Sequence, residues 1–565
     1  MTDDTQPHPK RPSYDWIADD NVANHLFRLD SGILDKPGVI VARWDDEGKL
    51  LEEEVLTFAK LQEQVLKCMV YLHKRGLKKG DRVLLMVRMG LELIVICFAL
   101  FRLGMVPIVI DPGMGLGKFR RAVKHSKPDV LVGIPASIWI SRVFRSSFRS
   151  LRLKVAIEKE KFFRAIRDCD SETKLPIEPT HRHDLAAILF TSGSTGAPKG
   201  VCYEQGMFDA QIRLLKAYFR IQPGEIDLPI LPVFALFNPA MGMTTVIPEI
   251  NPSRPATVNP AKIVAAIERY RVTNSFGSPV IWRKIGDYCE ARDLKFPTLR
   301  RILVAGAAAP TQLYRQFEPL LVNGMMHSPY GATECLPVSA ISGHEVLGGT
   351  AAMTDCGKGI CVGKPFEEVK VRIIRVETEG GIRELPRGTV GEILVNGPSV
   401  TQAYDGLPEM NARTKIVDQA GIWHRMGDTG YLDEEGRLWF CGRVVERVIA
   451  GENTFYTECV EGLFLSHPRV RRCAMIEWTG SKPTSSVNHL ALVVEPEKKA
   501  WPSTKESKEW FARELVRYLK EKELANPLNA FFFQKRLPVD VRHNAKIHRL
   551  SLRRQYQTRQ PVIVT

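Results

Sequence analysis

The sequence lacks the patterns of metal-binding fingers, disulfide-rich secreted domains and membrane spans. Its eleven cysteines include no Cys-x-x-Cys pair, which predicts reduced and mostly buried thiols in the cytosol. The longest uncharged apolar run, residues 93–101, is about half of a membrane span. The first twelve residues carry no apolar core of a signal peptide. We therefore expect a soluble, cytoplasmic protein.

The chain also has fewer acidic than basic residues. The net charge of +15 is compatible with nucleic acid, a membrane surface or a phosphorylated ligand as partner. No zinc finger, basic zipper or aromatic RNA-binding signature accompanies this charge, so we expect no nucleic-acid partner. With 565 residues, 44% of them hydrophobic, the chain is long enough for two or three domains.

The most informative stretch is a loop rich in glycine and hydroxyl groups, T-S-G-S-T-G-A-P-K-G over residues 191–200. An apolar run precedes it and a periodic segment opens near Gln205, which predicts a buried strand, a loop and a helix. Glycines let backbone N–H groups approach an anion closely, and hydroxyls and lysine add donors. This loop differs from G-x-x-x-x-G-K-[ST] and from G-x-S-x-G. The alternative to a polyphosphate site is a flexible surface loop, which would not need the closing Pro-Lys-Gly. The candidate phosphate ligands are Thr191, Ser192, Gly193, Ser194, Thr195, Gly196 and Lys199.

Strand and helix patterns alternate in the first part of the chain. Apolar runs predict strands over residues 82–87, 106–110 and 129–134, and longer segments predict helices over 91–103 and 116–126. Alternation at these lengths predicts an α/β fold, a parallel sheet covered by helices.

Residues 136–154 combine aromatic and aliphatic side chains with arginines and few acids. This composition predicts a basic amphipathic helix, which could lie on the inner face of an anionic membrane or dock a partner. A surface helix that uses its arginines for solubility is the competing interpretation.

A second polar motif, Y-G-A-T-E over residues 330–334, places a hydroxyl beside a carboxylate. Mg²⁺ is usually bound through one or two carboxylates together with substrate phosphates. Tyr330 also offers a flat face for a purine. Farther along, the carboxylate of Asp428 can accept hydrogen bonds from a ribose diol, and its alternative role is that of a turn or helix-capping residue.

These motifs, in this order, resemble the adenylate-forming enzymes, which include acyl-CoA synthetases, luciferases and peptide-synthetase adenylation domains. The resemblance implies ATP and Mg²⁺ as cofactors. It places Tyr330 on adenine, Thr333 on the α-phosphate, Glu334 toward Mg²⁺, and Asp428 and Arg443 on the ribose. Lys546, in P-V-D-V-R-H-N-A-K-I, matches the lysine that closes over the reacting carboxylate. The remaining implied nucleotide ligands are Gly306, Ala307, Ala308 and Gly331, and the implied acyl pocket contains Phe234, Ala235, Phe237, Met241, Gly277 and Ser278.

The same resemblance implies two domains. A large N-terminal domain of helix-covered β-sheets, residues 1–441, would bind ATP and the acyl group. A small, mobile C-terminal α+β domain, residues 442–565, would form a lid that carries Lys546. The segment that contains Gly397 and Tyr404 is interpreted as a strand and turn with a structural role.

Three departures from the superfamily pattern narrow the function. Val445 occupies the hinge position, Glu452 lies in the loop that admits the arm of CoA, and Ala545 replaces a glycine. Over its whole length the chain resembles the olefin-biosynthesis β-lactone synthetases. That family adenylates a long-chain 2-alkyl-3-hydroxy acid, whose own 3-hydroxyl then displaces AMP to form a β-lactone.

This resemblance also implies partners of the olefin pathway, namely a β-lactone decarboxylase, a thiolase-like condensing enzyme and a reductase. Two alternatives stay open. One is an AMP-forming long-chain fatty acyl-CoA synthetase. The other is a non-catalytic basic protein on the same fold that binds lipid or nucleic acid, against which the intact polar motifs argue.

Overall fold

A computed structural model describes residues 21–176, 178–191, 197–230, 236–251, 257–376, 383–478, 489–523, 528–539 and 547–564. The helices are α1 (Asn24–Phe27), α2 (Ser31–Leu34), α3 (Phe58–Lys74), α4 (Leu91–Arg102), α5 (Leu116–Ser126), α6 (Pro135–Val143), α7 (Lys159–Arg167), α8 (Gln205–Phe219), α9 (Pro260–Tyr270), α10 (Pro279–Glu290), α11 (Thr311–Phe317), α12 (Gly343–Glu345), α13 (Ala351–Asp355), α14 (Pro408–Thr414), α15 (Thr457–Leu465), α16 (Lys505–Glu521) and α17 (Arg549–Tyr556).

The strands β1 to β13 are β1 (Pro37–Trp44), β2 (Leu50–Thr57), β3 (Arg82–Met86), β4 (Val106–Ile110), β5 (Val130–Gly133), β6 (Leu153–Ala156), β7 (Leu185–Thr191), β8 (Lys199–Glu204), β9 (Ile226–Pro229), β10 (Thr244–Ile247), β11 (Asn274–Gly277), β12 (Arg301–Val304) and β13 (Met325–Ala332). The strands β14 to β26 are β14 (Cys335–Ser342), β15 (Ile360–Pro365), β16 (Lys370–Ile374), β17 (Gly391–Asn396), β18 (Lys415–Asp418), β19 (Gly421–Leu432), β20 (Leu438–Arg443), β21 (Val448–Ala450), β22 (Asn453–Phe455), β23 (Val470–Trp478), β24 (His489–Pro496), β25 (Ala530–Phe533) and β26 (Val562–Ile563).

The first sheet has the strand order β6-β5-β3-β4-β7-β8 and is parallel except for its last pair. Its strands are short apolar runs because helices cover a parallel sheet on both faces. Helix α4 is apolar on nearly every side and buried along its length, as expected for a helix inside a large core. The predicted parallel sheet and its helices are confirmed.

A second, larger sheet carries most of the polar motifs. Its order is β16-β17-β19-β20-β15-β14-β13-β12-β11-β9-β10-β1-β2, and β18 pairs with β19. Strands β9, β11, β12 and β13 are parallel neighbours, so their carboxyl ends meet at one edge. The motif residues follow these carboxyl ends, which is where open α/β sheets place their ligands.

The C-terminal part folds around its own small sheet, with the order β23-β24-β25-β26. Helices α15 and α16 contribute Phe464 and Phe511 to an apolar core shared with these strands. The fold is thus a large N-terminal domain of helix-covered sheets and a smaller α+β domain, as predicted. The boundary at residues 441 and 442 stays a prediction.

One local prediction is wrong and one is incomplete. The Arg-rich segment 136–154 is not one amphipathic helix, because α6 ends at Val143 and β6 begins at Leu153. The residues between α6 and β6 form turns, and β6 pairs with β5. The strand and the helix predicted on either side of the glycine-rich loop are confirmed as β7 and α8, which begins at Gln205, but β8, which returns antiparallel to β7, was not predicted.

Two composition-based expectations can be compared with the structure. Eight of the eleven cysteines are buried, which confirms mostly buried thiols. Among the described residues, we find no helix with both the length and the apolar character needed to cross a bilayer.

Candidate active site

The sequence motifs converge at the carboxyl edge of the large sheet. Gly277 ends β11 and Ser278 precedes α10, while residues 306–308 follow β12. Tyr330 and Gly331 lie in β13, and Thr333 and Glu334 form the turn into β14. Gly306 has a φ of 90°, a conformation that glycine adopts without the cost of a side chain.

Asp428 is the centre of the first polar cluster. It lies in β19, only 3% exposed, so its alternative role as a turn or capping residue is wrong. Tyr330 donates from its hydroxyl to Asp428 Oδ2 over 2.6 Å, and Arg443 Nε lies 3.0 Å from Asp428 Oδ1. Arg443 ends β20, in register with Asp428 on the neighbouring strand.

The charges of this cluster stabilise one another. The Asp428 carboxylate raises the pKa of Arg443, with smaller contributions from Tyr330, Glu446 and Glu334. Burial, followed by the charge of Asp428, raises the pKa of the Tyr330 hydroxyl well above its ordinary value. Tyr330 therefore remains a protonated donor at neutral pH. The Tyr330 ring also lies 6.0 Å from the ring of Phe440, centroid to centroid.

Glu334 belongs to a second polar cluster. Tyr404 donates from its hydroxyl to Glu334 Oε1 over 2.7 Å. The backbone oxygen of Glu334 accepts hydrogen bonds from the amide and the hydroxyl of Thr401, at 2.9 and 3.0 Å. Tyr203 donates to the backbone oxygen of Thr333. These bonds fix both the carboxylate and the backbone of the Thr-Glu pair.

Two lysines bring positive charge to this second cluster. Lys199 Nζ lies 5.5 Å and Lys415 Nζ 5.8 Å from the centroid of the Tyr404 ring. Lys415 also donates to the backbone oxygen and the hydroxyl of Thr401. Burial lowers the pKa of Lys415 to about 8, against the opposing effect of Glu334. Burial, with Lys415 as the next cause, holds the pKa of His424 well below its ordinary value, so His424 is neutral.

The ends of the predicted phosphate loop are held together by the sheet. Thr191 and Lys199 are paired across β7 and β8, so the two ends of the loop lie side by side. Ser192, Gly193, Ser194, Thr195 and Gly196 lie outside the described residues. Lys199 therefore stands at the base of the loop, next to Met410 Sδ at 3.7 Å.

The predicted acyl pocket is described in part. Phe237 packs on Phe208 with 4.9 Å between ring centroids, and Met241 is buried in the short turn Pro239–Met241. At Gly277 a Cβ atom would come within 2.7 Å of the Trp282 indole nitrogen, so the position requires glycine. The Ser278 hydroxyl is buried without a hydrogen-bond partner among the described residues. Phe234 and Ala235 lie outside the described residues.

Lys546 also lies outside the described residues, but the helix that follows it is firmly anchored. Arg549, at the start of α17, contacts the carboxylates of Glu446, Glu458 and Glu461 at 3.0, 3.1 and 2.6 Å. Glu446 belongs to the turn Val444–Glu446 that follows Arg443. One guanidinium thus ties the segment after Lys546 to the predicted hinge.

Sequence reasoning missed two members of the site. Tyr404 was assigned a structural role, and Lys415 was not considered. Tyr404 donates to the Glu334 side chain from 70 positions farther along the chain. Lys415 is linked to Glu334 through Thr401. No spacing rule connects such distant positions, and a single tyrosine or lysine carries no local signal.

The described residues fit ATP chemically. Lys199 and Thr191 offer a cation and a donor for phosphates, and Tyr330 offers an aromatic ring. The Asp428 carboxylate, which contacts Tyr330 and Arg443, is a hydrogen-bond acceptor of the kind that suits ribose hydroxyls.

The chain is similar to known proteins over most of its length. The olefin beta-lactone synthetase of Xanthomonas campestris pv. campestris is 37% identical over 556 residues, covering 94% of this chain and 96% of the relative. The protein of the same name from Stenotrophomonas maltophilia is 36% identical, covering 84% of this chain and 87% of the relative.

The fold is likewise shared with solved structures, one of which contains bound ATP. ATP-bound MatB from Rhodopseudomonas palustris superposes with a TM-score of 0.75 at 20% identity, covering 95% of this chain and 99% of MatB. The family model described as "AMP-binding enzyme" matches residues 39–405, more than half of the chain. The chain therefore belongs to the AMP-binding enzyme family and is an AMP-forming ligase.

Proposed function

We propose that this protein is an ATP-dependent β-lactone synthetase. Its substrate is a long-chain 2-alkyl-3-hydroxy acid, whose carboxylate attacks the α-phosphorus of ATP and releases pyrophosphate. The 3-hydroxyl oxygen of the acyl-AMP then attacks the acyl carbon. The bond to AMP breaks, the hydroxyl proton is lost and a four-membered lactone forms.

The observation that carries this proposal is the 37% identity to an olefin beta-lactone synthetase, which extends over 94% of the chain. This similarity therefore includes the C-terminal part, where enzymes of the superfamily differ in their second step. An intramolecular nucleophile gains from proximity, although the strain of the four-membered ring opposes closure.

The C-terminal departures from the superfamily pattern support the same reaction. Val445 lies in the turn Val444–Glu446 and is 51% exposed, where other members carry an acidic residue or lysine. Glu452 lies between the paired strands β21 and β22, where the resemblance places a glycine-rich loop. An enzyme whose substrate supplies the nucleophile needs no channel for the arm of CoA.

The described side chains suit the first step because two anions must meet there. Lys199, Lys415 and Arg443 bring positive charge to the carboxyl edge of the sheet. Lys415 is buried, and charges in such surroundings interact more strongly than in water. Fixed cations of this kind stabilise the charge that develops on the transferred group.

The described side chains suit a divalent metal that binds through a single carboxylate, that of Glu334. Among the described residues, histidine, cysteine, aspartate and glutamate side chains form no cluster of three or more that could hold a metal ion. Mg²⁺ does not need such a group, since it commonly takes one or two carboxylates and completes its shell with phosphate and water. Glu334 would hold it, and Mg²⁺ would there neutralise phosphate charge and polarise the α-phosphoryl group.

The decisive experiment supplies the full chain with ATP, Mg²⁺ and a racemic 2-alkyl-3-hydroxy acid, with and without CoA. NMR should identify a β-lactone whose yield does not depend on CoA. The matched 2-alkyl acid without the 3-hydroxyl should release pyrophosphate and give no lactone. A CoA thioester without lactone would instead identify the protein as a long-chain acyl-CoA synthetase and overturn the proposal.

A further inference from the structure

A basic cleft lies at the edge of the large sheet opposite to the candidate active site. Its volume is about 880 Å³, within the range of small-molecule sites. It is built where β11, β12 and β13 begin, around Thr273, Arg301 and Met325. The same strands deliver Gly277, Gly306 and Tyr330 at their other ends, so this cleft is separate from the active site.

The cleft is strongly cationic. Arg220, Arg271, Arg300 and Arg301 line it together with two histidines, and none of its described lining residues is acidic. Arg301 is neutralised by the buried carboxylate of Glu225 at 2.5 Å, which Arg300 reaches only at 3.6 Å. Arg220 and Arg271 are exposed, and neither side chain has a polar partner within the described part of the chain.

The backbone at two of these arginines is unusual. Arg220 and Arg271 follow the last residues of α8 and α9 with φ values of 50° and 51°. This left-handed position at a helix end is normally taken by glycine, because a side chain there is unfavourable. Both arginines thus occupy a costly conformation, and both face the same cleft.

The ends of the two helices explain only part of this pattern. A helix C-terminus attracts cations, with an effective charge of about −0.5. After subtracting Glu225 and both helix ends, the four guanidinium groups still leave a net charge of about +2. Solubility would be served equally by arginines spread over the surface, and it gives no reason to place them in one concave site.

We propose that this cleft binds a small oligophosphate, a soluble molecule that carries at least two phosphate groups. Guanidinium groups bind phosphate with paired hydrogen bonds. Arg220 and Arg271 approach from two helix ends, with Arg300 between the strands. Their separate origins suit several phosphates better than a single carboxylate.

The test uses the full chain and inorganic tripolyphosphate, with hydrogen exchange measured by mass spectrometry. In the unaltered protein, tripolyphosphate should protect residues 219–225, 271–275 and 297–301. In the double variant R220G/R271G this protection should weaken. Half-protection should require on the order of tenfold more tripolyphosphate than in the unaltered protein. Because glycine is favoured at both positions, its melting temperature should be no lower.

The control is K127G. Lys127 is also an exposed cation that follows a helix, with a φ of 45°, but it does not line the cleft. K127G should keep full protection. Equal protection in R220G/R271G, or protection confined to the active-site residues 199–204 and 428–443, would overturn the proposal.

Phosphate groups could also come from a phospholipid surface, so vesicles of phosphatidylglycerol form the second arm. Binding of the protein to these vesicles should be the same for the unaltered protein and R220G/R271G. Vesicle binding that R220G/R271G loses, without protection by tripolyphosphate, would show that the cleft serves a membrane and would refute a soluble ligand.

Discussion

The Tyr404 hydroxyl donates a hydrogen bond to Glu334 Oε1 over 2.7 Å, although the two residues lie 70 positions apart in the chain. Burial, followed by the charge of Glu334, raises the pKa of Tyr404, so the hydroxyl keeps its proton. Lys199 and Lys415 lie near the same ring. We therefore expect Tyr404 to act as a positioning residue that orients the predicted Mg²⁺ ligand Glu334.

Replacing Tyr404 by phenylalanine should weaken the binding of Mg²⁺ by the enzyme. Loss of one hydrogen bond to a charged group costs about 1.5 kcal/mol or more. The Mg²⁺ concentration for half-maximal ATP–pyrophosphate exchange should rise roughly tenfold in Tyr404→Phe. The assay is exchange of labelled pyrophosphate at varied Mg²⁺ and saturating ATP.

Tyr431→Phe is the matched control. Its hydroxyl donates to the backbone oxygen of Lys358 over 3.0 Å, away from the cluster around Glu334. Tyr431→Phe should leave the Mg²⁺ dependence unchanged. If Tyr404→Phe also leaves it unchanged, Tyr404 does not position a metal ligand.

Deprotonation of Lys415 should make the rate of adenylation fall at alkaline pH, as a falling limb of the pH profile. Burial lowers the pKa of Lys415 to about 8, so it loses its proton as pH rises from 7 to 9. The cluster around Glu334 then loses a cation that opposes phosphate charge. In Lys415→Arg the group stays charged, because arginine is not deprotonated in proteins, and the limb should move to higher pH.

The measurement is the pH profile of ATP–pyrophosphate exchange, with Lys370→Arg as the control at an exposed lysine. Lys370→Arg should retain the limb near pH 8. A limb that stays at the same pH in Lys415→Arg would assign it to another group.

Asp227 should make thermal stability fall with rising pH. Burial raises the pKa of this carboxyl, in β9, to about 7, while the Asn238 amide bonds it at 2.6 Å and opposes that shift. The unfolded chain releases the proton near pH 4. Stability from the neutral carboxyl is thus complete below pH 4 and is lost as pH rises through 7, at a cost of about 4 kcal/mol.

Asp227→Asn imitates the neutral carboxyl and keeps an acceptor for Asn238. Its melting temperature should exceed that of the unaltered protein at pH 8, and the difference should shrink at pH 5 and vanish below pH 4. Asp46→Asn removes the charge of a side chain that is 93% exposed, and it should not change the melting temperature at any of these pH values. Equal melting temperatures for Asp227→Asn and the unaltered protein at pH 8 would show that ionised Asp227 costs nothing.

The elements that could be predicted from the sequence are those set by local patterns. The helix over residues 116–126 and the strand over 106–110 have the predicted bounds, because their apolar residues repeat with a clear period. Strand β8 was missed because its pairing with β7 depends on the chain reversal between them. Strand β6, which begins at the end of the Arg-rich segment, depends likewise on pairing with β5.

The site residues also divide into those that local motifs predict and those that depend on tertiary contacts. Contiguous motifs such as residues 330–334 were predicted because their residue types and order are informative. The contacts of Asp428 with Tyr330 and Arg443 were not predicted from spacing, and they arise from the register of β19 against β20 and the approach of β13. Tyr404 and Lys415 depend wholly on such tertiary packing.

Lys546 should act on the chemical step and not on nucleotide binding. The following helix is fixed by Arg549 to Glu446, Glu458 and Glu461, so the backbone after Lys546 is held beside the predicted hinge. Loss of one preorganised cation or donor at a transition state slows a reaction by on the order of a hundredfold or more. Lys546→Ala should slow pyrophosphate release by that factor while ATP binding, measured by calorimetry, changes little. Lys520→Ala, at an exposed lysine of α16, should affect neither. Normal pyrophosphate release from Lys546→Ala would remove this lysine from the reaction.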